Sequence, residues 1–583
     1  MSFYKTILQP ALILLLPHDR KKGLFIVVLM VFNALLDFFS LASFLPLIFM
    51  MVNPGFVLSN KYSSSLYSYL SFSSPTWFIL AFIALLLTLI ILKNGVSLWI
   101  TRFKANYCFN LGSDLSSRML EWYMEISFLK FTQSDFTKEL NRIANVPVAF
   151  ANNIIMPLAN LLSEGLVFLL LLLCVAIYDI KVFLLLFVIA VPLRLIYNLK
   201  RKSISDTSND LKEKYPLTLK FALQAIEGLV DIKAFRKESF FKNRFVETSR
   251  SLAKTFARDH VNQTGPTRLT EIIAAFIICA IITYSILTKQ TTQQTFLLLG
   301  IYAGASFRLI PSINRILNAM MQIKSHEYLL KELEELTNFQ PVGNNKQKTS
   351  LEFSKIIELK NISFQYPDGA VVLNNASLMI NKGEKIALVG KSGSGKTTIL
   401  LILLQFLKAH SGKIILDGVE VSSDPASEWR KVFSYVPQSP YVLDGTIAEN
   451  IAFGFPTNEI NFEKINQLIN DLDLVEMISQ LPDGLSTQIG EKGVKLSGGQ
   501  RQRIAIARAL YTDAEVLLFD EITNQLDSRT EQEIIQTLTK VAHRKKTILM
   551  VTHHEHLLNE FDRILSLENG KIVELTLTRT SPK

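Results

Sequence analysis

The stretch KIALVGKSGSGKTTILLILLQFLK, residues 385 to 408, decides how the second half of this chain is read. Its opening, KIALV, is the short apolar run of a buried strand, and its close, TILLILLQFLK, has the length and apolar content of a buried helix. Between them GKSGSGKT, Gly390 to Thr397, fits GxxxxGK[ST] in the strand, loop, helix order of a phosphate-binding loop. Glycine lets the backbone N–H groups of such a loop curl around phosphate oxygens at a helix start. The expected nucleotide contacts are Gly390, Lys391, Ser392, Gly393, Ser394, Gly395, Lys396, Thr397 and Thr398. Lys396 would reach the β- and γ-phosphates of ATP, and Thr397 would hold Mg2+.

Further along, VLLFDE sets four apolar residues, as a buried strand requires, before Asp520 and Glu521. An acid at a strand end can hold the Mg2+ hydration shell while its neighbour polarises an attacking water. Around these two sites, residues 355 to 583 alternate short β-rich runs (IIELKNISF, GKIILDG, KTILMVT) with helical stretches, the pattern of an α/β domain with a largely parallel sheet. The polar stretch NFQPVGNNKQKTSLEF precedes them, and residues 341 to 354 within it read as a linker.

Residues 1 to 340 differ in kind. Across 583 residues the chain is 49% apolar with 39 Phe, a membrane composition. Six apolar segments, near 23 to 51, 77 to 100, 154 to 178, 181 to 199, 270 to 288 and 295 to 320, are long enough to span a bilayer. Basic stretches, read as long loops, follow the second and fourth spans (101 to 150 and 200 to 266), and the positive-inside rule places them, the N-terminus and everything after the sixth span in the cytoplasm. The net charge of +10 is accounted for by this arrangement, so no nucleic-acid partner is expected. The N-terminal residues before the first span read as an interfacial helix, and KYSSSLYSYLSFSS as a short helix or loop at the outer face. Cys108, Cys174 and Cys279 are scattered and support neither a disulfide framework nor a zinc site.

Between the two nucleotide stretches lies LSGGQ, Leu496 to Gln500, followed by the amphipathic RQRIAIARAL. Ser497 and the N–H groups of Gly498 and Gly499 stand at a helix start, where a phosphate can bind. With LSGGQ the chain resembles the ATP-binding cassette (ABC) family, and six spans followed by one cassette resemble its exporter-type half-transporters. The implied fold is a multidomain membrane protein: an all-α six-helix transmembrane domain of the type I ABC exporter kind, then an α/β P-loop nucleotide-binding domain. The resemblance further implies that Tyr366 in SFQYPDG stacks on adenine, that Gln438 in VPQSPYVLDGTI approaches Mg2+ and water, and that Asp527 in NQLD communicates across a cassette dimer. His553 in MVTHHEH is implied to be the switch histidine that acts with Glu521. Ser497, Gly498, Gly499 and Gln500 would contact ATP on the opposite cassette, which implies a homodimer with two composite ATP sites. TQIGEKG resembles the motif that precedes the signature in exporters, while FLKFTQSDFTKELNRI and IEGLVDIKAFRKESFFKNRF resemble the helices that dock membrane domains on cassettes. Two departures are mild: NQLD replaces the commoner SALD, and THH the commoner AHR.

The sixth span contains FRLIPSINRI, with Arg308 and Arg315 seven residues apart and so on one helix face. At 1.5 Å per residue from Phe296, Arg308 lies about 18 Å and Arg315 about 29 Å down the span. A charge at such depth usually meets a water-filled cavity or a partner. These arginines, with Arg268 and Lys93, could line a cavity for an anionic head group; alternatively, Arg315 snorkels to the inner interface and Arg308 pairs with an acid such as Glu164 or Glu271. The serine, proline and arginine arrangement resembles bacterial lipid-linked oligosaccharide flippases of the PglK type, implying a polyprenyl-diphosphate-linked glycan moved across the bacterial inner membrane. A multidrug or lipid A type exporter and a cassette-gated channel or regulatory receptor are the alternatives.

Overall fold

A computed structural model describes residues 3–43, 61–178 except 73, 190–287, 310–337 and 339, 351–421 except 368, 426–490, 493, 496–522, 531–538 except 533 and 537, and 546–575. The chain falls into two compact units, residues 1–126 with 133–342, and residues 127–132 with 343–583.

The first unit is helical. Its long helices are Pro17–Ala42, Pro75–Glu125, Met156–Tyr178, Ala190–Glu227 and Glu238–Leu287. Pro75 sits at the first helical position, where its missing N–H costs nothing, and Ser74 caps the same helix by accepting from the Trp77 N–H. Among the described residues three stretches are long and apolar enough to cross a membrane: Pro17–Ser40, Pro75–Glu125 and Val146–Leu173. They overlap the first three expected spans. Residues 181–189 of the span at 181 to 199 and residues 295–309 of that at 295 to 320 lie outside the described residues, and the span at 270 to 288 is the end of Glu238–Leu287.

The basic stretches expected as loops are largely helix. Pro75–Glu125 runs unbroken for 51 residues, which is about 76 Å at 1.5 Å per residue and more than twice the thickness of a hydrocarbon core. Ala190–Glu227 and Glu238–Leu287 carry helix through most of 200 to 266 in the same way. Lys, Arg, Glu and Leu are good helix formers, so the loss of apolar character marks where hydrocarbon would end, not where the helix ends.

The N-terminal segment, expected as an interfacial helix, packs one face on the unit. Ile7, Ala11 and Leu14, spaced four and three apart on the helical turns Tyr4–Leu8 and Gln9–Leu14, are buried. They join a core with Leu111, Leu115, Met119 and Phe150, and Arg118 Nη1 donates to the Leu14 carbonyl at 2.9 Å. One face of the segment is thus packed on the unit, while Tyr4, Leu12 and Ile13 on its other faces are exposed. The helix Lys61–Tyr69 follows the first span as anticipated, with Tyr67 and Phe72 edge-on to Phe78.

Among its described residues the second unit contains ten strands: β1 Ile356–Gln365, β2 Val371–Asn381, β3 Lys385–Val389, β4 Ser411–Leu416, β5 Val419–Glu420, β6 Phe433–Val436, β7 Val516–Asp520, β8 Thr547–Val551, β9 Arg563–Glu568 and β10 Lys571–Leu575. An antiparallel sheet has the order β2-β1-β4-β5, and a six-stranded sheet the order β10-β9-β3-β8-β7-β6. In the larger sheet β9, β3, β8, β7 and β6 are parallel and β10 alone runs antiparallel. Its alternate residues enter two cores. Ala387, Leu517, Phe519 and Met550 face one, with the helix Gly498–Tyr511; Leu388, Leu518 and Leu549 face the other, with the helix Lys396–Leu403. All five residues of β7 and of β8 are buried, as strands covered on both faces must be. Phe128, on the short helix Phe128–Gln133, also belongs to this unit and stacks on Phe406 with ring centroids 5.8 Å apart.

Candidate functional site

Parallel strands end together, and ligands of such sheets bind beyond the carboxyl ends. Here β3, β6, β7 and β8 deliver to that edge the loop at Gly390, Gln438, the pair Asp520 and Glu521, and His553.

The loop after β3 needs its glycines. Gly390 and Gly395 have φ of +149° and +106°, and a Cβ on Gly395 would lie 2.5 Å from Val372 Cγ1. A Cβ on Gly390 would lie 2.9 Å from the Leu567 carbonyl oxygen. The curl opens onto Lys396, whose buried Nζ donates to the carbonyls of Gly390 at 3.0 Å and Lys391 at 3.1 Å. Burial holds its ammonium below the usual lysine range, while Glu521 and Asp520 act the other way. Ser394 Oγ is buried with no hydrogen-bond partner among the described residues, a polar atom for which a phosphate oxygen would supply the missing bond. Tyr366 follows β1; its hydroxyl lies 3.3 Å from Thr398 Oγ1 and its ring stands edge-on to Phe364, which ties the aromatic to the start of the helix Lys396–Leu403.

At the end of β7, buried Asp520 accepts from Thr397 Oγ1 at 3.1 Å and from the Tyr435 hydroxyl at 3.2 Å. Burial raises the pKa of this carboxyl, and the two hydrogen bonds oppose the rise. A hydroxyl and a carboxylate side by side are hard oxygen donors, so Thr397 and Asp520 fit Mg2+. The next residue, Glu521, takes a left-handed backbone with φ of +50° while its N–H still donates to the Val551 carbonyl at 3.1 Å. A non-glycine residue held there is strained, which is common where a side chain must be aimed. The aim is visible: Glu521 Oε1 lies 2.8 Å from His553 Nε2, Oε2 accepts from Gln438 Nε2 at 3.1 Å, and Lys396 Nζ stands 3.8 Å from Oε1. Four strand ends therefore meet on one carboxylate. A glutamate so held can accept a proton from a water placed beside a bound phosphate.

The signature residues form a helix start. Ser497 Oγ accepts from the Gln500 N–H at 3.2 Å and Gln500 Oε1 accepts from the Ser497 N–H at 2.8 Å, a reciprocal capping box for Gly498–Tyr511. Gly498 and Gly499 stand in its first turn.

Of the bases expected along the transport path, Arg308 lies outside the described residues, as does Asp527 of the nucleotide set. The other three bases are paired. Arg315 Nε lies 2.7 Å from Glu164 Oε1, and Ser312 Oγ donates to the other oxygen at 2.8 Å. Arg268 pairs with Glu271 at 3.3 Å and Lys93 with Asp37 at 2.5 Å. Each of these three thus faces an acid, Glu164, Glu271 or Asp37. Tyr435 was missed as well; its place three residues before Gln438 on β6 is the signal that could have found it.

Residues 373–524 match the family described as ABC transporter. The chain is 30% identical over 376 residues to the "Heterocyst differentiation ATP-binding protein HepA" of a Nostoc species, covering 64% of this chain and 61% of that protein. It is 32% identical over 360 residues to an "ATP-dependent lipid A-core flippase" of Ralstonia nicotianae, covering 60% of each. The alignments thus span about three fifths of these curated relatives. A solved structure of a bacterial Atm1-family ABC exporter with ATP bound superposes with a TM-score of 0.74 at 20% identity, over 96% of this chain and 94% of that one. The chain has that exporter fold: a helical membrane region followed by an α/β nucleotide-binding domain.

Proposed function

We propose, from an ABC transporter cassette at residues 373–524 on an exporter fold, that this chain is half of an ATP-driven exporter. The observation that carries the proposal is the meeting of Lys396, Gln438, Asp520, Glu521 and His553 at the carboxyl edge of one parallel sheet. In this reading the loop from Gly390 to Thr398 grips the phosphates and Tyr366 supports the base. Mg2+, held by Thr397 and Asp520 with Gln438 nearby, would neutralise charge on the phosphates. Glu521 takes the proton of the attacking water, and His553 and Gln438 fix the direction of its carboxylate.

The chain carries one phosphate loop and one LSGGQ, so we propose a homodimer in which Ser497, Gly498, Gly499 and Gln500 of each copy close the site of the other, with Asp527 between them. Two cassettes drawn together on ATP would swing the membrane helices from inward-facing to outward-facing, and hydrolysis would reset them. The proposed location is a bacterial inner membrane with the cassette in the cytoplasm.

For the cargo we propose an amphipathic lipid with a large anionic head group. A polyprenyl-diphosphate-linked oligosaccharide is one form, motivated by FRLIPSINRI in the sixth span. A lipid A-core type cargo is favoured over it by the name of the Ralstonia relative and by the ion pairing of Arg315 with Glu164. Proteoliposomes offered fluorescent forms of both lipids with MgATP distinguish the two. Movement of the lipid A-core form supports the favoured reading; movement of only the diphosphate-linked glycan replaces it; failure to move either, with a drug-like dye exported, removes lipid cargo altogether.

A further inference from the structure

Beyond the nucleotide edge, three side chains that this function does not use converge in the second unit. Glu531 belongs to a helical stretch, while His554 and His556 follow β8 in HHEH, directly after His553. Glu531 is 2% exposed, yet its Oε1 has no hydrogen-bond partner among the described residues. His554 Nδ1 lies 3.5 Å from that oxygen, and His556 Nε2 lies 3.2 Å from Oε2. One donor atom from each of the three falls within 4.8 Å of the others.

These separations also leave room for one shared ion. A tetrahedral ion with ligand bonds of about 2.0–2.2 Å has ligand atoms about 3.3–3.6 Å apart. Two imidazoles and a carboxylate select a borderline transition metal, zinc before all, over Mg2+ or Ca2+, which take oxygen. The fourth position would face solvent, because the His554 and His556 side chains are 34% and 47% exposed. A buried carboxylate without full hydrogen bonding is costly, and a dication would remove that cost.

We propose that Glu531, His554 and His556 form a site for one zinc-class divalent ion per chain, and that the bound ion restrains the segment carrying His553. The backbone link is short: His553 is adjacent to one ligand, and the His554 N–H donates to Thr552 Oγ1 at 3.2 Å. Fixing His554 on Glu531 therefore limits how far the His553 ring can leave Glu521. Zinc would slow ATP turnover without competing with nucleotide.

The test is zinc titration of the full-length protein in nanodiscs, with MgADP present, against a chromophoric chelator. The expected result is one zinc per chain lost, or weakened at least about 10-fold, in His556→Ala and in the isosteric Glu531→Gln; loss of even an outer-shell partner costs 10- to 100-fold. The exposed His556 carries the main comparison, since its replacement removes no core contact. Cobalt substitution should give the intense visible absorption of a tetrahedral site in wild type and not in His556→Ala. Equal zinc stoichiometry and affinity in all three proteins would overturn the site. Zinc bound at these residues with turnover unchanged at saturation would overturn the restraint on His553.

Discussion

Lys396 and Arg315 are both cations facing a glutamate, yet they stand in different kinds of environment. Lys396 is buried at the base of a glycine loop, bonded to two carbonyls, and 3.8 Å from a carboxylate that His553 and Gln438 also address. Arg315 is nearly half exposed and closes a direct pair with Glu164 at 2.7 Å, supported by Ser312. The first arrangement leaves unfilled bonding capacity, at Ser394 Oγ above all, and suits an incoming anion. The second has already met its anion from within the chain. A cation beside a glutamate thus has two very different meanings, and only its neighbours distinguish them.

That contrast predicts a graded set of losses. Glu521→Gln keeps size and shape but removes the base, so ATP turnover should fall by about 100-fold or more while nucleotide affinity is retained, measured by phosphate release and by equilibrium binding. Turnover within a few-fold of wild type would remove Glu521 from the role proposed. Arg142→Ala probes the other extreme of ion pairing. Arg142 is 7% exposed and bonds Glu139, Glu332 and Glu335 at 3.1–3.3 Å. Leaving those acids unbalanced should cost about 3–5 kcal/mol, read as a large fall in the thermal midpoint of the purified protein.

The half-exposed pair should be far cheaper. A double-mutant cycle on Glu164→Ala and Arg315→Ala should give a coupling of about 1 kcal/mol or less in unfolding. A coupling near zero, with transport lost in Arg315→Ala alone, would return Arg315 to the cargo. Smallest of all, Tyr435→Phe removes one hydrogen bond to Asp520, and about 1 kcal/mol corresponds to roughly a five-fold rise in the Mg2+ concentration for half-maximal turnover. No change would mean that Thr397 alone orients the carboxylate.

The two regions were not equally legible in sequence. Within the cassette, the order of strand, glycine loop and helix is local, and buried strands such as VLLFD end where the chemistry begins; nine residues of loop carry most of the information. Tyr435 escaped because a tyrosine on a strand is ordinarily packing. Glu521 was expected, but its left-handed backbone was not, since nothing in DEIT demands φ of +50°. In the membrane unit, the apolar runs marked the spans but not the helix ends, because charged helix formers prolong Pro75–Glu125 well beyond the apolar stretch. The packing of one face of the N-terminal segment is not visible in sequence, because its partners, Leu111 and Leu115, are about a hundred residues away. Long separations likewise hid Glu164 from Arg315, 151 residues apart, and Asp37 from Lys93.

The most direct test of coupled export measures ATP hydrolysis and lipid crossing in the same proteoliposomes, for wild type and Glu521→Gln. The account predicts that both rates fall together in the variant, and that neither is supported by ADP. Lipid crossing that persists in Glu521→Gln, or ATP hydrolysis by wild type with no crossing of any amphipathic cargo, would contradict it.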